Sequence, residues 1–135
     1  MGGLFLIMNI LYYIEAETET IEVSEFQENK YNSPIKKIFE NLCLSELTTL
    51  KGRIDAIKKV YNYGYNVPIY INSNLILFKI KDHRTLWINY FKVGSIIKKK
   101  NGADIVFKNG TVLNTSVSYR SLLNSFSKAQ RIIQE

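Results

Sequence analysis

Cysteine, histidine and proline are nearly absent from this chain of 135 residues, which contains one cysteine, one histidine and two prolines. Cys43 and His83 are too few for a disulfide framework, a zinc site or a cysteine nucleophile with its own base. We expect Cys43 to be a small core residue and His83 to be an exposed loop residue. The chain also lacks a glycine-rich phosphate loop and a nucleophile elbow. The sequence therefore predicts a protein that is not an enzyme and uses no metal or cofactor.

No apolar run reaches the roughly 20 residues that a membrane span needs. The longest, residues 4–14, follows no Lys or Arg and precedes no small-residue cleavage site. We interpret it as a buried strand, with Met8 as an alternative start of the chain. With a free cysteine and no export signal, the protein is expected in the cytoplasm without membrane contact.

Negative charge is confined largely to the beginning of the chain. Residues 1–30 hold six glutamates and one lysine, a net charge of −5, whereas residues 31–135 hold seventeen basic and six acidic residues, a net charge of +11. A body this basic attracts polyanions, and nucleic acid is the commonest polyanion in a cell. An anionic membrane surface or an acidic protein is the alternative. The length indicates a single domain over 1–135, and its charge predicts that this domain binds DNA, with an acidic segment 1–30 and a basic body 31–135.

The apolar periodicity predicts an α+β fold with a mostly antiparallel sheet, two central helices and a C-terminal helix. Residues 28–34 are predicted to form a polar turn, with Ser33 as the N-cap and Pro34 as the first residue of the next helix. Helices are expected over residues 34–43, 47–61 and 121–133. Strands are expected as a pair within 10–26 and then over 67–71, 75–80, 86–93, 104–108 and 111–117.

Turn signals separate these strands. Asn109-Gly110 is the strongest hairpin signal in the chain, and Asn101-Gly102 predicts a second tight turn after a run of three lysines. Gly52 interrupts the second helix and is expected either to permit close packing or to mark the true helix start. Hairpin turns this short exclude the crossovers of a parallel sheet.

Basic residues cluster in three places beside aromatic or hydrogen-bonding side chains. One cluster follows the polar face of the second helix, one surrounds the loop before Trp87, with Lys79 and Lys81, and one is the lysine run. Lysines bind phosphates without reading sequence. Recognition of base edges or of a narrow A/T-rich minor groove requires arginine or amide side chains. The side chains available for this are Arg53, Arg84, Asn89 and Asn101. The candidate DNA-binding residues are Lys51, Arg53, Lys58, Lys59, Arg84, Lys98, Lys99, Lys100 and Asn101.

Three tyrosines, Tyr61, Tyr63 and Tyr65, alternate along the chain after the second helix. Such a row can stack on bases, but tyrosines at this spacing more often pack on a sheet or domain edge. We therefore predict edge packing for them.

A series of short blocks in a fixed order carries a family resemblance. The blocks are GRIDAIKK (52–59), YNVPIYI (65–71), NLILF (74–78), LWINYFKV (86–93), DIVFKNG (104–110) and VSYRSLLNS (117–125). Together, over residues 51–133, they resemble the competence transcription factor ComK and its shorter relatives in low-GC Gram-positive bacteria.

The resemblance implies a transcription activator that binds paired A/T-rich promoter boxes, largely from the minor groove and as a homo-oligomer, and that regulates DNA-uptake genes. Double-stranded A/T-rich DNA and further copies of the chain are then the expected partners, with RNA polymerase as another candidate. In this resemblance, Gly52 and Arg53 correspond to the family's GR pair, and Arg53 is the better candidate for a DNA contact. The resemblance also assigns residues 87–89 to the WIN block, with Trp87 in the core.

Two departures from the family pattern stand out. Longer relatives often have phenylalanine-proline where this chain has Phe78-Lys79, and the chain ends at Glu135, before the long tail that links the best-known member to adaptor-mediated proteolysis. Control by such an adaptor is therefore in doubt. Residues 10–17 also resemble the first strand of LytTR-type DNA-binding domains. A self-assembly module, in which the acidic segment docks on a neighbour's basic body, is the alternative from a different class of protein.

Overall fold

The computed structural model describes residues 9–134, so residues 4–8 of the predicted first strand and the alternative start at Met8 lie outside the described part. Within it, the chain forms nine strands, three α-helices and one short 3-10 helix, Tyr90–Lys92. The strands are β1 Ile10–Glu15, β2 Thr20–Ser24, β3 Glu28–Tyr31, β4 Ile69–Asn72, β5 Leu75–Lys81, β6 Thr85–Asn89, β7 Val93–Lys99, β8 Gly102–Phe107 and β9 Val112–Thr115. The α-helices are α1 Ile35–Ser45, α2 Leu50–Tyr61 and α3 Tyr119–Gln134.

The strands form two antiparallel sheets. A six-stranded sheet has the order β3-β2-β1-β6-β5-β4, and a three-stranded sheet has the order β7-β8-β9. Every strand pair in the described residues is antiparallel. The predicted α+β fold is confirmed, with two central helices and a helix at the end of the described chain. A split into two sheets was not predicted.

Two hydrophobic cores lie on opposite faces of the six-stranded sheet. On one face, α1 and α2 pack through residues such as Phe39 and Leu50 against Leu77 of β5. On the other face, the second sheet and α3 pack against Phe78, the next residue of β5. Both faces of β5 are therefore buried, which explains why Leu75–Phe78 is a continuous apolar run rather than an alternating one.

The predicted polar turn over residues 28–34 is wrong in its first half. Residues 28–31 form the edge strand β3, which pairs with β2 from Val23↔Glu28 to Thr20↔Tyr31. Its side chains are mostly exposed, so the strand has no apolar alternation to reveal it. The N-cap of α1 is Pro34, not Ser33, and it makes no side-chain cap. The carbonyl of Ser33 instead accepts a hydrogen bond of 2.9 Å from Thr20 Oγ1.

The predicted strand over 86–93 is interrupted at Asn89, whose side chain is fully buried. Asn89 Nδ2 donates to the carbonyl of Ile10 at 2.8 Å, and its Oδ1 accepts from the amide of Phe91 at 3.2 Å. These bonds turn the chain through the 3-10 helix into the second sheet. A role for Asn89 in reading bases is therefore excluded. No strand was predicted over residues 94–100, where β7 places Lys98 and Lys99 in a strand rather than in a turn.

Candidate nucleic-acid interface

The first basic cluster is carried by α2, which starts at a side-chain cap. Thr49 Oγ1 accepts a hydrogen bond of 3.0 Å from the amide of Gly52, which lies in the first turn of the helix and so marks its start. Leu50 and Ile57 face the core. The last turn presents Lys58 and Lys59, both exposed, where cations also stabilise the helix dipole.

The other two basic residues of α2 already have partners. Lys51 pairs with Asp55 at 2.6 Å in an exposed pair one helical turn apart, an interaction that costs little to break. The guanidinium of Arg53 lies 4.9 Å from the ring centroid of Tyr70, and its Nη2 is 3.4 Å from the carbonyl of Ile71. Its Nε is buried without a hydrogen-bond partner. Arg53 is thus partly engaged in contacts with Tyr70 and Ile71 of β4.

Arg84 lies in the loop between β5 and β6. Through Arg84 and Asp82, this loop forms hydrogen bonds to the end of β9 in the second sheet. Arg84 Nη2 donates to Asp82 Oδ2 at 3.0 Å and to the carbonyl of Asn114, next to the end of β9, at 2.9 Å. The Asp82 side chain, 1% exposed, also accepts from the backbone amides of Arg84 and Ser116. Burial raises the pKa of Asp82, but these hydrogen bonds and the Arg84 charge outweigh it and hold the pKa well below its usual value. The Arg84 side chain remains 28% exposed.

We expect Asp82→Asn to destabilise the protein by about 1–3 kcal/mol at pH 7, because it leaves Arg84 and the Ser116 amide with a weaker acceptor. The depressed pKa means that the carboxylate stabilises the fold above its unfolded pKa of 3.8 and that this contribution fades as pH falls through the folded pKa. Urea unfolding at pH 7 and pH 3 measures both effects. The variant should lose less stability between these pH values than the wild type does.

Asp55→Asn is the matched control, since its exposed carboxylate pairs with Lys51 on the helix surface. It should change the unfolding free energy little at either pH. Equal losses from the two substitutions at pH 7 would show that the Asp82 carboxylate does not hold the sheets together.

The third cluster lies on the hairpin between β7 and β8. Lys98 and Lys99 end β7, Lys100 and Asn101 form the turn, and all four side chains are exposed. Lys99 Nζ lies 3.5 Å from Asp104 Oδ2. The turn is fixed at Gly102, where the chain passes so close to β9 that an added Cβ would be 2.1 Å from the carbonyl oxygen of Thr115.

The structure brings two of the three clusters together. Arg84 contacts the carbonyl of Asn114, and the turn at Gly102 packs against Thr115, so both clusters meet at the end of β9. Lys51 lies elsewhere, on a helix of the opposite face of the six-stranded sheet.

The sequence reasoning missed two cations on α3. Lys128 Nζ lies 5.4 Å from the ring centroid of Tyr63 and 4.6 Å from that of Tyr65, and Arg131 lies 5.7 Å from that of Tyr61. Tyr63 also donates to the carbonyl of Lys128 at 3.0 Å. The tyrosines lie beside α3, where Tyr65 is 74% exposed, and their packing on a sheet or domain edge stays a prediction. The missed signal was that residues 119–134 contain three basic residues and no acidic one.

Cys43, His83 and Trp87 lie where the sequence predicts them to lie. Cys43 is fully buried, and burial raises the pKa of its thiol. His83 is exposed on its loop. Trp87 donates from Nε1 to Glu15 at 2.8 Å and packs edge-on against Phe39.

In residues 9–134, no group of three His, Cys, Asp or Glu side chains could hold a metal ion. No helix in this part of the chain is long and apolar enough to span a membrane.

Most of the described glutamates of the acidic segment already have partners in the same chain. Glu15 binds Trp87, Glu19 pairs with Lys30, Glu25 pairs with Lys92, and Glu22 accepts from two tyrosine hydroxyls. Among the described residues, only the pairs with Lys30 and Lys92 neutralise a glutamate, so the segment keeps most of its negative charge.

A family model described as "ComK protein" matches residues 6–135, nearly the whole chain. The match includes the acidic segment, which lies outside the sequence blocks at residues 52–125 that carry the resemblance. No curated protein and no solved structure matches.

Proposed function

Because the chain belongs to the ComK family, a family of competence transcription factors and not of enzymes, we propose that it activates DNA-uptake genes by binding A/T-rich promoter boxes as an oligomer. The observation that carries this proposal is the family match over residues 6–135. The net charge of +11 on residues 31–135 supports it, since that charge gives the body affinity for a polyanion.

The exposed lysines supply the sequence-independent part of the proposed binding. Lys58, Lys59, Lys98 and Lys100 are exposed and form no ion pair within the described residues. Each phosphate that such a group neutralises releases a counterion and so strengthens binding at low salt. Lys51 can join them at small cost, since both Lys51 and Asp55 are exposed, whereas Lys99 is paired with the buried Asp104.

Arginine and asparagine side chains supply the sequence-dependent part of the proposed binding. Arg53 and Arg84 are each anchored by the protein on one side, which fixes their orientation and reduces the entropy lost on binding. Asn101 is exposed in the hairpin turn, where its amide can reach a groove.

Fluorescence anisotropy with two labelled duplexes tests the proposal. One duplex carries paired A/T-rich boxes and the other is G/C-rich and of equal length. We expect tighter binding to the A/T-rich duplex and, if about six phosphates are contacted, a loss of roughly a thousandfold in affinity between 50 and 200 mM salt. Absence of binding to either duplex at low salt would contradict the proposal.

A further inference from the structure

A trough runs along the polar side of α3, formed by two adjoining cavities of about 570 and 400 Å³. The two cavities share Asn66, Ser121 and Ser125. Lys128 and Arg131 line the first, and Lys81 lines the second. We call this surface the α3 trough.

One face of α3 forms the floor of the trough. Ser121, Ser125 and Lys128 follow one another at helical spacing along this face, whereas Leu122 and Ala129 are buried in the core. Within residues 9–134, no carboxylate lines either cavity. The described lining therefore combines cations with hydroxyl and amide groups, and the nearby Asp82 carboxylate is paired with Arg84.

The opposite wall is the end of β5, which is paired on one side only, with β6. β4 pairs with β5 only as far as Leu77, so in the described part of the chain no strand covers that side of residues 79–81. These residues line the second cavity together with Ser116 and Ser118. Backbone N–H groups and serine hydroxyls are common donors to the phosphates and sugars of a nucleic-acid strand.

The length of the trough suits a polymer better than a small anion. From Ser121 to Arg131 the helix rises about 15 Å, which equals about four nucleotides of one DNA strand at 3.4 Å each. A single phosphate or nucleotide would use only part of this length.

The α3 trough also leads from one predicted basic cluster to the others. At one end, Arg131 lies over Tyr61, the last residue of α2, close in sequence to Lys58 and Lys59. At the other end, the amide of Ser116 donates to Asp82, the partner of Arg84, and Gly102 packs against the same segment. The trough thus joins surfaces that the sequence shows as separate.

We propose that the α3 trough binds the phosphate backbone of one strand of duplex DNA, with Lys81, Lys128 and Arg131 as its cations. This inference rests on the proposed function and assigns it a surface that includes none of the nine candidate DNA-binding residues, although Lys81 belongs to the basic cluster before Trp87. Lys128 is held in place by its bond of 2.9 Å to the carbonyl of Tyr65, so its charge is already positioned before DNA binds.

The test compares Lys81→Gln combined with Arg131→Gln against Lys36→Gln combined with Lys108→Gln. All four positions are exposed, and the control pair lies on α1 and on the turn after β8, outside the trough. Loss of two phosphate contacts should weaken binding roughly 30- to 100-fold at 0.1 M salt and reduce the slope of log affinity against log salt by about two. The loss should be equal for the A/T-rich and G/C-rich duplexes. Ser121→Glu, which adds a carboxylate to the trough, should weaken binding in the same way.

Each outcome separates the two proposals. If the wild type binds neither duplex, the proposed function fails and the trough proposal fails with it. If the wild type binds but the trough variants match the control pair, the function stands and the trough proposal is wrong. If polyglutamate displaces the duplex at equal charge concentration, the trough is a surface for acidic proteins instead. Thermal unfolding of each variant verifies that it is folded.

Discussion

Gly102→Ala is expected to lower the free energy of unfolding by about 2–4 kcal/mol, because it combines backbone strain with a steric clash. Gly102 has φ +150, which disfavours L residues, and an added Cβ would lie 2.1 Å from the carbonyl oxygen of Thr115 and 2.8 Å from Cα of Ser116. Both neighbours are backbone atoms of the β9 end, which Arg84 and Asp82 also bind. The clash cannot be relieved without separating β8 from β9.

Two other glycines serve as controls in urea unfolding. Gly110 has φ +92 but open space around it, so Gly110→Ala adds strain without a clash and should cost about 1 kcal/mol. Gly64 has open space and no positive φ, so Gly64→Ala should be neutral or slightly stabilising. If Gly102→Ala costs no more than Gly110→Ala, the close approach to β9 is not part of the folded structure.

Charge reversal at Lys58 and Lys59 should weaken DNA binding by about a hundredfold or more at 0.1 M salt, because two phosphate contacts are lost and two repulsions are gained. The loss should be the same for A/T-rich and G/C-rich duplexes, since lysines contact phosphates rather than base edges. The salt dependence should also become shallower. Anisotropy titrations of the Lys58→Glu, Lys59→Glu double variant with both duplexes measure all three effects.

Lys36→Glu combined with Lys108→Glu makes the same change in net charge at exposed positions away from the proposed surface. A comparable loss in this pair would show that overall charge, and not the end of α2, determines binding.

Arg53→Ala in the same titrations should weaken binding to the A/T-rich duplex more than to the G/C-rich one. Its stability has to be measured beside it, because Arg53 also contacts Tyr70 and Ile71.

Elements that bury a regular stripe were predictable from the sequence. The stripe expected on the first helix was Ile35, Ile38, Phe39 and Leu42; Ile35 and Phe39 are buried on α1, and Ile38 and Leu42 pack partly buried against the same core. The Asn109-Gly110 turn connects β8 and β9, also as expected. Such patterns are local, so a single chain reveals them without knowledge of its tertiary contacts.

Features that depend on distant partners were not predictable. Asn89 lies in an apolar run but is buried because its amide reaches a carbonyl 79 residues away. Strand β3 is polar because it lies at a sheet edge, and only its pairing with β2 defines it. The basic residues of the candidate site are visible in the sequence, but the α3 trough is not, because residue 66, one side of β5 and α3 come together only in the folded protein.

The central position of β1 has a consequence for synthesis of the chain on the ribosome. β1 pairs with β2 on one side almost at once, but its other neighbour is β6, with Glu15 opposite Thr85. At about 5–20 residues per second, this partner emerges roughly 4–14 seconds later. During that interval the edge of β1 that later pairs with β6 has no partner strand. Such an edge pairs readily with other chains, so chaperone binding during translation should be concentrated on the first strands.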